Sequence, residues 1–469
     1  MKTSVKILLF LLFLTTLASA SWYYFKNSDF GLLKKLKPTP ADLYNKDQAD
    51  ANFTNLNFVS FTKEISGING PRTYLILFQN SMELRPTGGF IGSFAKIKVE
   101  NGKLIEKKTF DSAIFDQTLQ NAPEPPYFIK KYLHTDQWGV RDSNWYFDFS
   151  SSSQNALKLY HLSPDHKDDK IDGVIGVTTN ILPYLIEKTG PIELPDIQGQ
   201  FTKENCIEKL EYEVELGFSK RGVARHQRKD ILKELLDILS SRLTQIGKLE
   251  QLSLLKDLQK LLQKKDIQFY FENQDMQNYA LKNNWAGAII AGASYNDYLA
   301  LVDSNLGALK TNRCLSHKIT YQVDFSDPKN PKAKTTIDYA NNCREKNFMT
   351  DNYHGYTRLY VPLNSTLESA QGFDQGALNE ITSPNDPALI ETTKDKKIFS
   401  NLVYVTLNSQ RAYSFSYKLP STINSSNYQL YFQKQAGLNN PHLKVILKEQ
   451  TKEQIIFDQA VEKDTLIKK

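Results

Sequence analysis

Helical periodicity stops about two-thirds of the way along this chain of 469 residues and does not return. That change of pattern limits the architecture more than any other feature. Upstream of it, strand and helix signals alternate. Tyr74-Leu-Ile-Leu-Phe78 is a short apolar run with the length of a buried strand. Phe90–Val99 alternates and ends at Asn101-Gly102, a two-residue hairpin signal leading into Leu104–Phe110. Asp172-Gly-Val-Ile-Gly-Val177 reads as a second buried strand, and Ile181–Thr189 as a short helix stopped by Gly190-Pro191. From Lys229, Ile231, Leu232, Leu235, Leu236, Leu239, Leu243 and Ile246 keep the spacing of an amphipathic helix, and Leu252, Leu255, Leu258 and Leu262 suit a second. The alternation predicts a layered α/β core over 70–312. Beyond it, Tyr356–Val361, Leu402–Leu407, Tyr413–Leu419 and Tyr428–Gln433 are short, aromatic and separated by turn residues, which predicts an all-β sandwich over 313–469.

The amino terminus supplies a third part. Lys2 and Lys6 precede an uncharged stretch, Ile7–Phe25, which as a helix spans about 28 Å, close to the ~30 Å hydrocarbon core of a bilayer. Lysines before it and a long polar chain after it place the bulk of the protein outside the membrane, and Trp22, Tyr23 and Tyr24 suit an interfacial belt. The alternative is a cleaved signal peptide, with Ile7–Leu14 as its apolar core and Ala18-Ser19-Ala20 as the cleavage site. In both readings the chain is exported. Residues 1–25 are thus an anchor or signal, and 26–69, with Pro38 and Pro40, a tether.

An oxidising compartment permits a disulfide. Cys314 and Cys343 flank two strand-like runs, His317–Phe325 and Lys334–Tyr339, joined by Asp327-Pro-Lys-Asn-Pro331. They face each other across the open end of the expected hairpin, and the alternative is two free thiols. Cys206, in a helical pattern, reads as a small core residue. The net charge of +6 is too mild to imply nucleic acid. The seven histidines lack metal-ligand spacing, and no Ser–His or Cys–His arrangement stands out.

The segment Glu83-Leu-Arg-Pro-Thr-Gly-Gly89 closely follows the first strand. With Arg141-Asp-Ser-Asn-Trp145, Asp172–Val177, Trp285-Ala-Gly287, Asp303-Ser-Asn-Leu-Gly307 and Tyr431–Gly437, it resembles a bacterial envelope family, the domain-of-unknown-function family numbered 4012. Membership implies a membrane-anchored, extracytoplasmic protein. The order of elements also resembles the LytR–CpsA–Psr phosphotransferases, which move glycopolymers from a polyisoprenyl diphosphate to the cell wall. Arg85, Asp142-Ser-Asn144 and Arg225-His-Gln-Arg-Lys229 carry that resemblance, whereas Glu213 and Glu215 stand where that family has an arginine pair.

Each candidate residue has two readings. Glu83 and Arg85, just before Gly88 and Gly89, form either an anion site approached by glycine backbone or an ion pair bracing a turn. Arg141, Asp142 and Asn144, among Trp138, Trp145 and Tyr146, suit either a sugar-binding floor or a loop whose polar groups cap backbone. Asp142 and Glu83 are the candidate ligands of a magnesium ion (Mg2+). Arg221, Arg225, Arg228 and Lys229 crowd a helix start; they hold a phosphate or an anionic lipid, or else form a solvated basic face or pair with Glu211, Glu213 and Glu215. The expectation is an α/β core that binds a polyisoprenyl phosphate or an anionic glycopolymer, with phosphotransfer as the enzymatic form, Arg85, Asp142 and Glu83 as catalytic residues, and Arg141, Asn144, Arg225, Arg228, Gly88 and Gly89 as ligand-binding. The rival is a non-catalytic surface module on a degenerate core.

Overall fold

A computed structural model describes residues 56–224, 227–228, 230–245, 257–291, 295–373, 390–393 and 396–469. The expected anchor lies outside them. Among the described residues, no helix is long and apolar enough to cross a membrane.

The α/β part is built on strands β1 (Arg72–Asn80), β2 (Phe90–Glu100), β3 (Lys103–Asp111) and β4 (Gly173–Thr178), the small hairpin β5 (Ile192–Leu194) and β6 (Ile197–Phe201), and β7 (Ile267–Phe271). Its main sheet has the order β3-β2-β1-β4-β7, with β1 and β4 parallel and the other neighbours antiparallel. The turn between β2 and β3 is the expected one: Asn101 and Gly102 both have positive φ (51° and 71°), as a tight hairpin requires. Alternation along β1 sends Tyr74 and Ile76 to one face and Leu75 and Leu77 to the other. The first face packs on helix Phe58–Ile65 and helix Gln274–Lys282. The second packs on Tyr127–Leu133 and Phe149–Tyr160, giving three layers. A side lobe forms where helices Ile181–Thr189, Cys206–Tyr212 and Asp230–Gln245 bury Leu185, Cys206, Leu235 and Leu239.

The carboxy-terminal part has two six-stranded sheets. Their strands are β8 (Asp297–Asn305), β9 (Leu315–Asp324), β10 (Lys332–Asn341), β11 (Tyr353–Pro362), β12 (Thr366–Gln371), β13 (Ile390–Thr392), β14 (Lys396–Val405), β15 (Ser409–Lys418), β16 (Gln429–Phe432), β17 (His442–Glu449), β18 (Lys452–Ala460) and β19 (Thr465–Lys468). The sheet orders are β12-β15-β10-β9-β17-β18 and β13-β14-β11-β8-β16-β19. Inward residues of both, such as Ile319, Tyr321, Leu359 and Phe399, share one core, so the two sheets form a sandwich. Cys314 and Cys343 are joined in a disulfide with Cα atoms 5.5 Å apart, at the open end of the β9–β10 hairpin.

Two expected boundaries shift. The sandwich starts at β8, upstream of 313, because β8 pairs with both β11 and β16. Every residue of β8 is buried: Leu299 and Leu301 face the sandwich interior, while Tyr298, Ala300 and Val302 pack with Phe147 and Ile290. The stretch expected to be tether contains helix Phe58–Ile65, capped by Asn57. Its Phe61 stacks on Tyr279 (centroids 4.7 Å apart) and meets Phe271 edge-on.

Candidate functional site

Beyond Asn80 the chain turns into the protein rather than out to solvent. Gly88 and Gly89 have φ of +136° and +152°, and a Cβ on Gly89 would sit 2.2 Å from the Asn80 carbonyl carbon. The turn closes with Gly88 N–H donating to the Arg85 carbonyl (3.0 Å) and Phe90 N–H to the Glu83 carbonyl (2.8 Å). The Gly88 N–H is therefore engaged by protein rather than turned to an anion.

Arg85 is 1% exposed. Its guanidinium donates to the Asn305 carbonyl (2.6 Å), pairs with Glu83 (3.2 Å) and with Asp142 (3.4 Å), and lies over the Phe90 ring. Arg141 extends the series, with Nε 3.4 Å from Asp142 and 3.8 Å from Asp116. Charges thus alternate from Glu83 through Arg85, Asp142 and Arg141 to Asp116. Burial raises Glu83 above the usual carboxylate range against the pull of Arg85. Burial likewise pushes Asp116 to about 6, although it accepts from the Val140 and Arg141 N–H groups.

This arrangement favours the structural member of each pair. The two terminal nitrogens of Arg85 are on protein acceptors while its buried Nε has none, and the side chain has almost no surface for a phosphate. Its guanidinium already bridges Glu83 and Asp142, where a magnesium ion would have to sit, so the residues present do not fit that ion. Among the described residues no group of three or more His, Cys, Asp or Glu side chains could hold a metal. Asn144, fully buried, donates to Gln79 Oε1 (3.0 Å), Thr87 Oγ1 (3.1 Å) and the Gly89 carbonyl (2.8 Å). The aromatic floor is occupied as well: Trp145 stacks on Tyr356 and lies under Arg358, and Trp138 donates to the Asp142 carbonyl. Only Tyr146 is exposed.

Four glutamines, none of them among the expected site residues, complete the network. Gln79 accepts from Thr87 (2.6 Å), and Gln268 donates to the Thr87 carbonyl (2.7 Å). Gln435 donates to the Arg85 and Asp303 carbonyls, and Gln433 to the Ala288 carbonyl. Gln433 and Gln435 stand inside the Tyr431–Gly437 motif, the one signal that marked them. The motifs at 83–89, 141–145, 285–287, 303–307 and 431–437 therefore meet along a buried seam between the α/β core and the sandwich. Each part supplies hydrogen-bond partners for the other, although Gln79 Nε2, Arg85 Nε and Asn144 Oδ1 stay buried without one.

The helix-start cations lie elsewhere. Arg221 pairs with Glu213, and Arg228 with Glu215 (3.1 Å), so the described ones are held by glutamates. Arg225 lies outside the described residues. Arg228 borders a cavity of about 320 Å³ at the carboxy-terminal ends of β1 and β4. Its wall is apolar, with Phe78, Val177, Leu182, Leu185, Leu210 and Val214. Glu83, Asp111, Glu211, Glu215, Arg228 and Lys310 supply its charged side chains, and Lys310 pairs with Glu211 at 3.4 Å. The size falls at the lower end for small-molecule sites. A second, polar cleft of about 710 Å³ opens on the other side of Thr179 and Ile207, between the core and the carboxy-terminal part.

No curated protein matches the chain. Residues 69–214, about a third of the chain and holding β1–β6 with the loop 81–89, match the family described as Protein of unknown function (DUF4012).

Proposed function

We propose that this is an exported envelope protein, held at the outer face of a membrane by its amino-terminal segment, whose α/β core binds the apolar chain of a lipid-linked phosphate or glycan. The observation that carries the reading is the apolar cavity with Arg228 and Lys310 among its charged side chains. An apolar pocket with a few charged groups in its wall suits an amphiphile, whose chain gains from burial while its head meets the charges. The Cys314–Cys343 disulfide supports export, since such bonds persist in oxidising compartments.

Binding is favoured over group transfer. Transfer from a diphosphate calls for cations and a metal aimed at the developing charge. Arg85 is instead held between Glu83 and Asp142 inside the seam. Glu215 in the cavity wall adds negative charge beside any phosphate.

The test is native mass spectrometry of the full chain with geranylgeranyl phosphate. The expected result is a one-to-one complex that is lost in Leu210→Trp, which fills the cavity, and weakened in Arg228→Ala. A wild-type chain that takes up no ligand, or a Leu210→Trp chain that binds as well as wild type, refutes the reading.

A further inference from the structure

The polar cleft differs from the seam and the cavity in one respect: two of its charged groups are left without their ordinary partners. Most cations on its walls are ion-paired. Lys188 (2.9 Å) and Lys260 (3.1 Å) reach Asp257, Lys203 reaches Glu187 (2.6 Å), Lys264 reaches Glu462 (2.7 Å), and Arg313 reaches Glu208. Lys434 is the exception. It is 5% exposed, its Nζ donates to the Gln435 carbonyl at 3.1 Å, and it has no ion-pair partner among the described residues.

Asp266 is its counterpart on the same cleft, also 5% exposed. Both of its side-chain donors, Thr178 Oγ1 (2.6 Å) and Asn180 Nδ2 (2.9 Å), fall on Oδ1. Oδ2 has no donor among the described residues. Burial pulls the Lys434 amine down to about 8 and raises the Asp266 carboxyl. The two opposite charges attract each other across the cleft wall without forming an ion pair, and each keeps hydrogen-bonding capacity that a ligand in the cleft can take up.

The chemistry of that ligand follows from the two groups together. Six basic and six acidic side chains line the cleft, so it carries no excess charge to collect an anion. A hydroxyl group donates and accepts at once. One hydroxyl can donate to Asp266 Oδ2 while its neighbour accepts from Lys434 Nζ. Tyr184, partly buried in the same wall with Lys188 over its ring at 5.7 Å, adds aromatic surface to the cleft. The volume lies well within the range of small-molecule sites.

We propose that this cleft is a saccharide-binding site in which Asp266 and Lys434 bracket neighbouring hydroxyls of a neutral sugar. The inference stands on the cleft alone and does not require that the apolar cavity hold a lipid. Because Thr179 and Ile207 border both spaces, a glycolipid could occupy the two together.

Calorimetric titration of the full chain with the trisaccharides of N-acetylglucosamine, glucose and mannose, and separately with inorganic phosphate, tests it. At least one trisaccharide is expected to bind saturably, at least tenfold more weakly to Asp266→Asn and to Lys434→Met, and unchanged to Leu210→Trp. That last comparison separates this site from the lipid reading. Should either cleft variant fail to fold, hydrogen exchange on the unsubstituted chain replaces it, with segments 179–184 and 434–440 expected to slow when the sugar is added. Absence of binding by all three sugars overturns the proposal. So does sugar binding that both variants retain or that leaves exchange in those segments unchanged. Phosphate binding that is lost in Lys434→Met and is not displaced by sugar makes the cleft an anion site instead, and also overturns it.

Discussion

Arg85→Met separates a structural arginine from a ligand-binding one. The substitution keeps an unbranched apolar stem and removes the guanidinium. Glu83 then loses its ion pair at 3.2 Å, and Asp142 keeps Arg141 Nε at 3.4 Å as its remaining ion-pair partner. The Asn305 carbonyl loses a donor at 2.6 Å. Removing one member of a buried ion pair costs about 3–5 kcal/mol, mostly as the penalty on the charge left behind. Arg85 at 1% exposure belongs in that class. The assay is guanidinium unfolding of the full chain at pH 7.5 by tryptophan fluorescence, since Trp138 donates to the Asp142 carbonyl and so reports on the seam. Glu83→Gln added to Arg85→Met is expected to restore more than half of the loss, because it removes the stranded carboxylate. The pH dependence has a definite sign. Burial already raises Glu83, and without Arg85 it rises further. A carboxyl whose folded pKa is raised binds more protons folded than unfolded, so the penalty fades as pH falls toward 5. A variant within 1 kcal/mol of wild type at pH 7.5, or a penalty that is the same at pH 5, refutes the buried-pair reasoning and returns Arg85 to the ligand-binding role.

Three further outcomes are expected. Asp297, buried in the sandwich and hydrogen-bonded by Tyr321 and Tyr428, is pushed to about 6 by burial. Its contribution is complete below about pH 4 and is lost as pH rises through 6, about 3 kcal/mol in all, so Asp297→Asn should flatten wild-type stability measured across that window. Gly89→Ala forces a Cβ to 2.2 Å from the Asn80 carbonyl at a φ that disfavours side chains, and should lower stability by more than about 2 kcal/mol in the same unfolding assay. Cys314→Ser with Cys343→Ser opens a link spanning 29 residues and should cost up to about 3.6 kcal/mol, read as a shift in denaturation midpoint that reductant reproduces in wild type.

Local pattern made much of the fold legible. The apolar run at Tyr74–Phe78 is a strand, Asn101-Gly102 is a two-residue turn, and the spacing of Ile231, Leu235, Leu239 and Leu243 is the buried face of helix Asp230–Gln245. These depend on side-chain period and turn chemistry, which a few neighbouring residues specify. The β8 run was harder to place, because a fully buried strand has no alternation to show which sheet it joins. Helix Phe58–Ile65 falls in the stretch expected to be tether, and its link to the core, Phe61 on Tyr279, joins residues far apart in sequence.

The candidate site divides the same way. The sequence by itself determined that Glu83, Arg85, Gly88, Gly89, Asp142 and Asn144 belong to unusual local segments, since charges and paired glycines at a strand end need a special reason. It could not say whether Arg85 faces a ligand or the protein, because both roles call for the same residue beside the same glycines. Tertiary structure decided it by bringing Asn305 and Gln435 onto the loop, the latter across 350 residues of chain. The cavity and the cleft were likewise out of reach of the sequence: each is space left between elements whose packing, and not their composition, sets its size and walls. A residue's type limits which partners it can take, but only long-range packing fixes which of them are within reach and whether water is excluded.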